Sequence, residues 1–230
     1  VISGLGAIRS HGNRDEELYL TSDGSAVEES FMTDRIVTPE EGVRFIKAVE
    51  VLVRTSREYK AYQSYLRNDL GMNRCSVLSN VDTTTDEVGL EFHHCPLNLY
   101  EVVDLVLSHR LRRGQAVTSL TVADEVLAAH MMNMVGLVPL LASLHKLAHA
   151  GSLVIHPAQV HGNWLALLRA YPDGVTEVLV ERLMRFCTIT EVEVMASAEK
   201  LRPGARPRLR TDGAPPRPEE VELLLMGPGR

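Results

Sequence analysis

The run Val135-Gly136-Leu137-Val138-Pro139-Leu140 has the character of a short apolar strand, and it passes almost directly into a helical stretch, Ala142 to Ala150, closed by Gly151. This junction constrains the chain more than any other feature, because it fixes a strand and a helix as immediate neighbours. Upstream, Val88-Gly89-Leu90-Glu91-Phe92-His93 also reads as a strand. Between the two lie helical patterns: Asn98 caps an amphipathic segment from Leu99 to Arg112, and Ser119 or Thr121 opens another through Ala129. The order is therefore strand, insert, strand, helix.

The remainder of the chain is read around that centre. Residues 1–34 are rich in Gly, Ser, Asp and Glu, with one brief strand-like run at Leu18-Tyr19-Leu20, and read as a flexible arm. Residues 35–74 form a helical segment: Thr38-Pro39-Glu40-Glu41 is a helix start, Val43, Ile46, Val49 and Val53 recur at helical spacing, and Ser56 caps a second helix bearing Tyr59, Tyr62 and Tyr65 up to Gly71. Cys75 to Ser79 has strand character and, across the turn-like Asp82 to Asp86, is placed to form a hairpin with the Val88–His93 strand. Residues 75–195 are taken as one domain with a helical insert at 98–133. It includes a strand at Leu153-Val154-Ile155 and helices near Asn163–Ala170 and Thr176–Cys187. The prolines from Pro203 onward point to a tail over 196–230. The fold class expected is α+β.

Composition excludes several classes. With 45% hydrophobic and 23% charged residues among 230, this is ordinary globular composition. The apolar stretches fall short of the ~20 residues that cross a bilayer, and the first residues lack the basic start and apolar core of a signal peptide, so a cytoplasmic product without membrane contact is expected. Cys75, Cys95 and Cys187 have no metal-ribbon spacing and read as free thiols. The net charge of −6 gives no general nucleic-acid footprint, although Arg110, Arg112 and Arg113, with Lys200, Arg202, Arg206, Arg208 and Arg210, are local basic concentrations.

The chemistry-bearing residues are histidines. His145 and His149 stand at i and i+4 on one helix face, close enough to chelate one ion. His93 and His94 end the upstream strand, where successive side chains face opposite ways, so one can enter a metal site while the other points elsewhere. His130, near the end of the inserted helix, reads as a cap or surface residue, and His156 and His161 as loop residues.

Leu90-Glu91-Phe92-His93-His94, followed by Gly136 to Leu140 and His145-Lys146-Leu147-Ala148-His149, resembles the two halves of an HNH (His-Asn-His) endonuclease, with its ββα-metal module. The resemblance implies a ββα-metal module embedded among helices. It makes His93, His145 and His149 the ligands of one divalent metal, Zn, Mg, Mn or Ni. His94 becomes the general base, and Glu91 a carboxylate orienting a histidine. The implied activity is metal-dependent hydrolysis of phosphodiester bonds, with nucleic acid, DNA by preference, as partner. The wider layout resembles HNH-like proteins encoded by phages. The same residues also fit a non-catalytic descendant that keeps the metal as a structural staple and serves as an interaction or virion-associated protein. A metal hydrolase of another kind is a third reading. Two departures bear on this choice: the family's central Asn falls on Gly136, with Asn133 three positions early, and residues 95–135 separate the blocks. A catalytic His94 requires an open groove beside the metal, whereas a staple is covered by the 98–133 insert.

Overall fold

Helix α1 (Pro39–Thr55) begins where Thr38 and Glu41 cap each other reciprocally, Glu41 N–H donating to the threonine hydroxyl at 3.2 Å and Thr38 N–H to the carboxylate at 2.9 Å. Ser56 ends α1 and starts α2 (Arg57–Asn68), accepting from Tyr59 N–H at 3.0 Å. The buried stripe of α1 is Phe45, Ile46, Val49 and Val53, with Val43 exposed, and that of α2 is Tyr59, Tyr62 and Leu66. This computed structural model describes residues 38–78, 89–209 and 215–226. The expected arm, the turn at 82–86 and part of the tail lie outside them.

Strand β1 (Leu90–His94) leads to α3 (Leu99–Arg112) and α4 (Ser119–Met131), capped by Asn98 and Thr118, and these to β2 (Leu137–Leu141) and α5 (Ala142–His149). The strands pair antiparallel, Leu90 opposite Leu141 and His94 opposite Leu137. α5 packs against both, while α1 lies against α3 and α4, and α2 against α1 and α4. A helix-rich α+β protein with a small two-stranded sheet results. The main apolar core runs from Phe45 through Val103, Val138 and Leu168 to Val221, and a smaller cluster joins Tyr62 and Leu66 to Phe92 and Leu137. The helices of 38–68 share that core with the insert and the sheet, so the expected division at residue 74 does not correspond to a separation in packing.

Three further expectations are corrected. Cys75–Leu78 is not the hairpin partner of β1; β2 is, and Ser76 N–H instead donates to Pro139 C=O at 2.9 Å on the other edge of β2. Pro139 is tolerated there because its backbone polar edge faces away from β1, so no ladder donor is lost. Leu153–Ile155 is not a strand; beside β2 it is His161 that exchanges backbone bonds with Leu137, at 2.7 and 2.8 Å. The tail does not start at 196. α6 (Trp164–Ala170) and α7 (Glu177–Cys187) match expectation, but α8 (Glu191–Leu201) crosses that boundary. Beyond it Ala205 is buried, and α9 (Pro218–Glu222) packs its buried Val221 on α7. Prolines end helices without preventing burial of the chain between them.

Candidate metal centre

The pleat of β1 sends His93 toward α5 and His94 toward the helical layer. On the α5 side, the His93 ring lies 5.2 Å from that of His145 and 4.8 Å from that of His149, centre to centre, and the two helix rings are 4.6 Å apart. Each of the three offers a ring nitrogen, and these atoms lie within 4.8 Å of one another. His145 Nε2 and His149 Nε2 are 3.1 Å apart, close to the ~3.3 Å edge of a tetrahedron with metal–nitrogen bonds of ~2.0–2.1 Å.

Glu91 shares the β1 face of His93, and its Oε2 holds His145 Nδ1. That contact leaves His145 Nε2 directed at His149. His93 is 8% exposed, and its buried Nδ1 has no hydrogen-bond partner. Burial first, then the imidazoles of His149 and His145, push its pKa down to about 4. His149 is also lowered, by desolvation and then by His145. Imidazoles gathered at one point, one of them with an orphaned buried nitrogen and another oriented by a carboxylate, suit a divalent cation with nitrogen preference.

His94 faces the opposite environment. It is 7% exposed, its ring is stacked with Tyr59 of α2 at 6.3 Å and 11°, and its Nε2 is 3.1 Å from Nε2 of His130 on α4. Burial, with further contributions from His130 and Arg54, holds it neutral well below its ordinary pKa. His130, expected at a cap or on the surface, is fully buried; its Nδ1 lies 2.7 Å from Val126 C=O, and Tyr59 and Tyr62 present edge-to-face contacts at 5.2 and 5.8 Å. Its pKa falls to about 4, chiefly by desolvation. The sequence held a signal for this: Val122, Val126 and His130 stand four apart on the buried face of α4. Thus His93, His145, His149 and Glu91 come together, while His94 is turned away into the core.

The missing Asn has a steric explanation. A Cβ on Gly136 would stand 2.0 Å from Cys95 C=O, where Cys95 N–H bonds Gly136 C=O at 3.0 Å, so the backbones approach too closely for any side chain. Asn133 does not replace it. It holds a left-handed turn at φ 56°, and its side-chain oxygen faces Tyr62 OH at 3.5 Å. His156 caps a short turn at Pro157–Gln159, and His109 Nδ1 lies 2.9 Å from the Asp173 carboxylate.

The basic concentration of α3 is engaged internally. Arg110 binds Glu125, Arg112 the Asp173 carbonyl, and Arg113 the Asp173 carboxylate at 2.6 Å. Leu183, Trp164 and Leu168 are buried, with the Trp164 and Phe186 rings edge to face at 6.2 Å. Among the described residues no helix is long and apolar enough to cross a membrane.

A small sheet thus sits among helices, with a histidine cluster on its α5 side and the α3 arginines paired internally. Residues 6–201 match the family described as Bacteriophage G278-like virion protein, and the chain belongs to that family. No curated protein and no solved structure matches the chain.

Proposed function

We propose that this phage virion protein is a structural or interaction component of the particle, in which one divalent metal held by His93, His145 and His149 staples β1 to α5, and that it is not a nuclease. The observation that carries this reading is the placement of His94. A general base must reach a water molecule and the phosphate it attacks. Here the imidazole is enclosed by Tyr59 and by His130 of the insert, on the face of β1 opposite the metal cluster, so the insert expected to cover a staple covers His94 instead and His149 stays exposed. The internal pairing of Arg110, Arg112 and Arg113 supports the same conclusion, since phosphate binding needs available cations. The family supports a virion role. The likeness to the HNH ββα element, namely an antiparallel pair followed by a helix with two histidines, is then one of architecture.

The test is to incubate purified protein with supercoiled plasmid and with single-stranded RNA across Mg²⁺, Mn²⁺, Ni²⁺ and Zn²⁺, and to record thermal unfolding in the same buffers. The expected result is a metal-dependent rise in melting temperature with no cleavage. Metal-dependent cleavage that disappears in His94→Ala but persists in metal-binding controls would overturn the assignment in favour of a nuclease.

A further inference from the structure

Two buried imidazoles in direct contact, His94 and His130, lie outside the metal cluster, and no role in it is assigned to them. Their hydrogen-bond geometry determines where their protons are. His130 Nδ1 lies 2.7 Å from Val126 C=O, and a carbonyl only accepts, so that nitrogen carries the hydrogen. Burial keeps His130 neutral, so its Nε2 has a lone pair and no proton. The atom 3.1 Å away, His94 Nε2, must then be the donor. The chain runs from His94 Nε2–H to His130 Nε2, and from His130 Nδ1–H to Val126 C=O.

We propose that His130 is a positioning residue for the metal centre: by accepting from His94 it fixes that ring in the Nε2–H form, ties the end of β1 to α4, and so sets the face that His93 presents to His145 and His149. The metal arm of this proposal rests on the three-histidine reading above; the tautomer arm does not. The mechanical link is short. His94 and His93 are adjacent on β1, and a strand that cannot rotate about its axis at His94 cannot turn His93 away from α5. Tyr59 and Tyr62 pack around the imidazole pair, so the ring of His94 has little freedom on that side. The anchoring carbonyl belongs to the middle of α4, one turn before His130, which makes the support a helix rather than a loop.

The test uses the full chain and substitutions that separate the two hydrogen bonds. In His130→Gln the terminal amide sits near the position of imidazole Nε2 and can still accept from His94. In His130→Asn the shorter amide retains a donor near Nδ1 but leaves His94 without its acceptor. His130→Leu removes both. Nitrogen-15 NMR of the histidine rings in wild-type protein, without metal, is expected to show His94 protonated at Nε2 and His130 at Nδ1; the reverse pattern at either residue overturns the proposal. Zn²⁺ affinity, measured by competition with a chromophoric chelator on variants whose fold is verified by circular dichroism, is expected to stay near wild type in His130→Gln and to fall roughly tenfold in His130→Asn and His130→Leu, the lower end of the effect of losing a supporting contact. Equal affinity in all folded variants overturns it. Equal losses in His130→Gln and His130→Asn overturn it as well, because they mark simple cavity damage. If wild-type protein binds no Zn²⁺, the metal reading fails, and the ring tautomers alone decide whether His130 sets the state of His94.

Discussion

The two faces of β1 at its last residues differ in almost every physical respect although they are one peptide bond apart. On the α5 side, His93 joins two imidazoles on a helix whose last histidine, His149, is exposed, and a carboxylate from the same strand face orients the other. On the α4 side, His94 enters an apolar, aromatic interior in which its ring nitrogen contacts another neutral histidine. The first environment gathers lone pairs around a point that an ion can fill. The second leaves His94 only 7% exposed and engages a ring nitrogen in an internal bond. Residue type alone therefore says little about a histidine's role; the element packed over each face of the strand decides it.

The junction that holds both faces in register offers the largest test. Gly136→Asn installs the residue an HNH enzyme has at that position, but its Cβ would meet the Cys95 carbonyl at 2.0 Å. Because that oxygen belongs to backbone tied to Gly136 itself, relief requires opening the end of the sheet. The expected outcome is a loss of about 4 kcal/mol or more, at the severe end for single substitutions. A folded Gly136→Asn with near-native urea midpoint would show that the two faces are not locked together here.

Acid should act next most strongly, through His130 and His94 on the buried face and through His93 and His149 on the other. An unfolded histidine titrates near 6.5, whereas folded His130 is pushed down to about 4. Between these values the unfolded chain binds more protons, so stability rises with pH across that window. The contribution is present above about pH 6.5 and is lost as pH falls toward 4, with a span of about 3 kcal/mol for this one group at 1.36 kcal/mol per unit. His94 shifts in the same direction. Chemical denaturation in chelator from pH 7.5 to 4.5 should show this slope, and His130→Leu should make it shallower by the share of His130, leaving that of His93, His94 and His149. An unchanged slope in the variant would assign the acid sensitivity elsewhere.

The third test asks whether metal distinguishes the faces. Metal at about 100 times its dissociation constant stabilises the folded site by about 2.7 kcal/mol. His149→Ala should lose that increment. His94→Leu, which removes the same imidazole bond as His130→Leu, should keep about half of it, a tenfold weaker affinity costing about 1.4 kcal/mol, while its metal-free stability falls by about 1–3 kcal/mol because the buried His130 Nε2 loses its partner. Thermal scans with and without Zn²⁺ compare the two variants directly. If both lose the increment equally, the difference between the faces is not one of metal binding.

How much of this was legible beforehand follows from what each signal measures. Hydrophobic period and capping chemistry are local, and they located α1 to α7 and the β2–α5 junction to within a few residues. The grouping of His93, His145 and His149 followed from a strand end and an i,i+4 helix spacing once the two blocks were paired by resemblance. Strand partnership is not local. Cys75–Leu78, closer in sequence, was the expected mate of β1, yet β2 takes that place across the whole α3–α4 insert. The fate of His94 was hidden for the same reason: alternation gives its face, and only the packing of α2 and α4 says what covers that face. His130 lay on the apolar stripe of α4, but a polar residue near a helix end is also what a cap looks like. Ala205 and Val221 were masked by the surrounding prolines, which carry information about backbone geometry and none about burial.

The smallest expected effect belongs to Glu91, and it bears on how far the α5 face is prepared for an ion. Glu91 is exposed, so its contact with His145 Nδ1 contributes little to folding by itself. Its effect on metal is different in kind. With Nδ1–H donated to the carboxylate, His145 presents the Nε2 lone pair toward His149, and a nearby negative charge makes that lone pair more basic. Glu91→Ala should therefore leave metal-free melting close to wild type while weakening Zn²⁺ binding about 10–100-fold, the usual effect of removing such a partner. Glu91→Gln separates the two contributions, because its amide oxygen can still accept from Nδ1–H without supplying charge. Recovery of most of the lost affinity in Gln identifies orientation as the main effect, and an affinity equal to that of Ala identifies charge. Wild-type affinity in Glu91→Ala would mean that His93, His145 and His149 are arranged by β1 and α5 alone, with Glu91 an ordinary surface carboxylate.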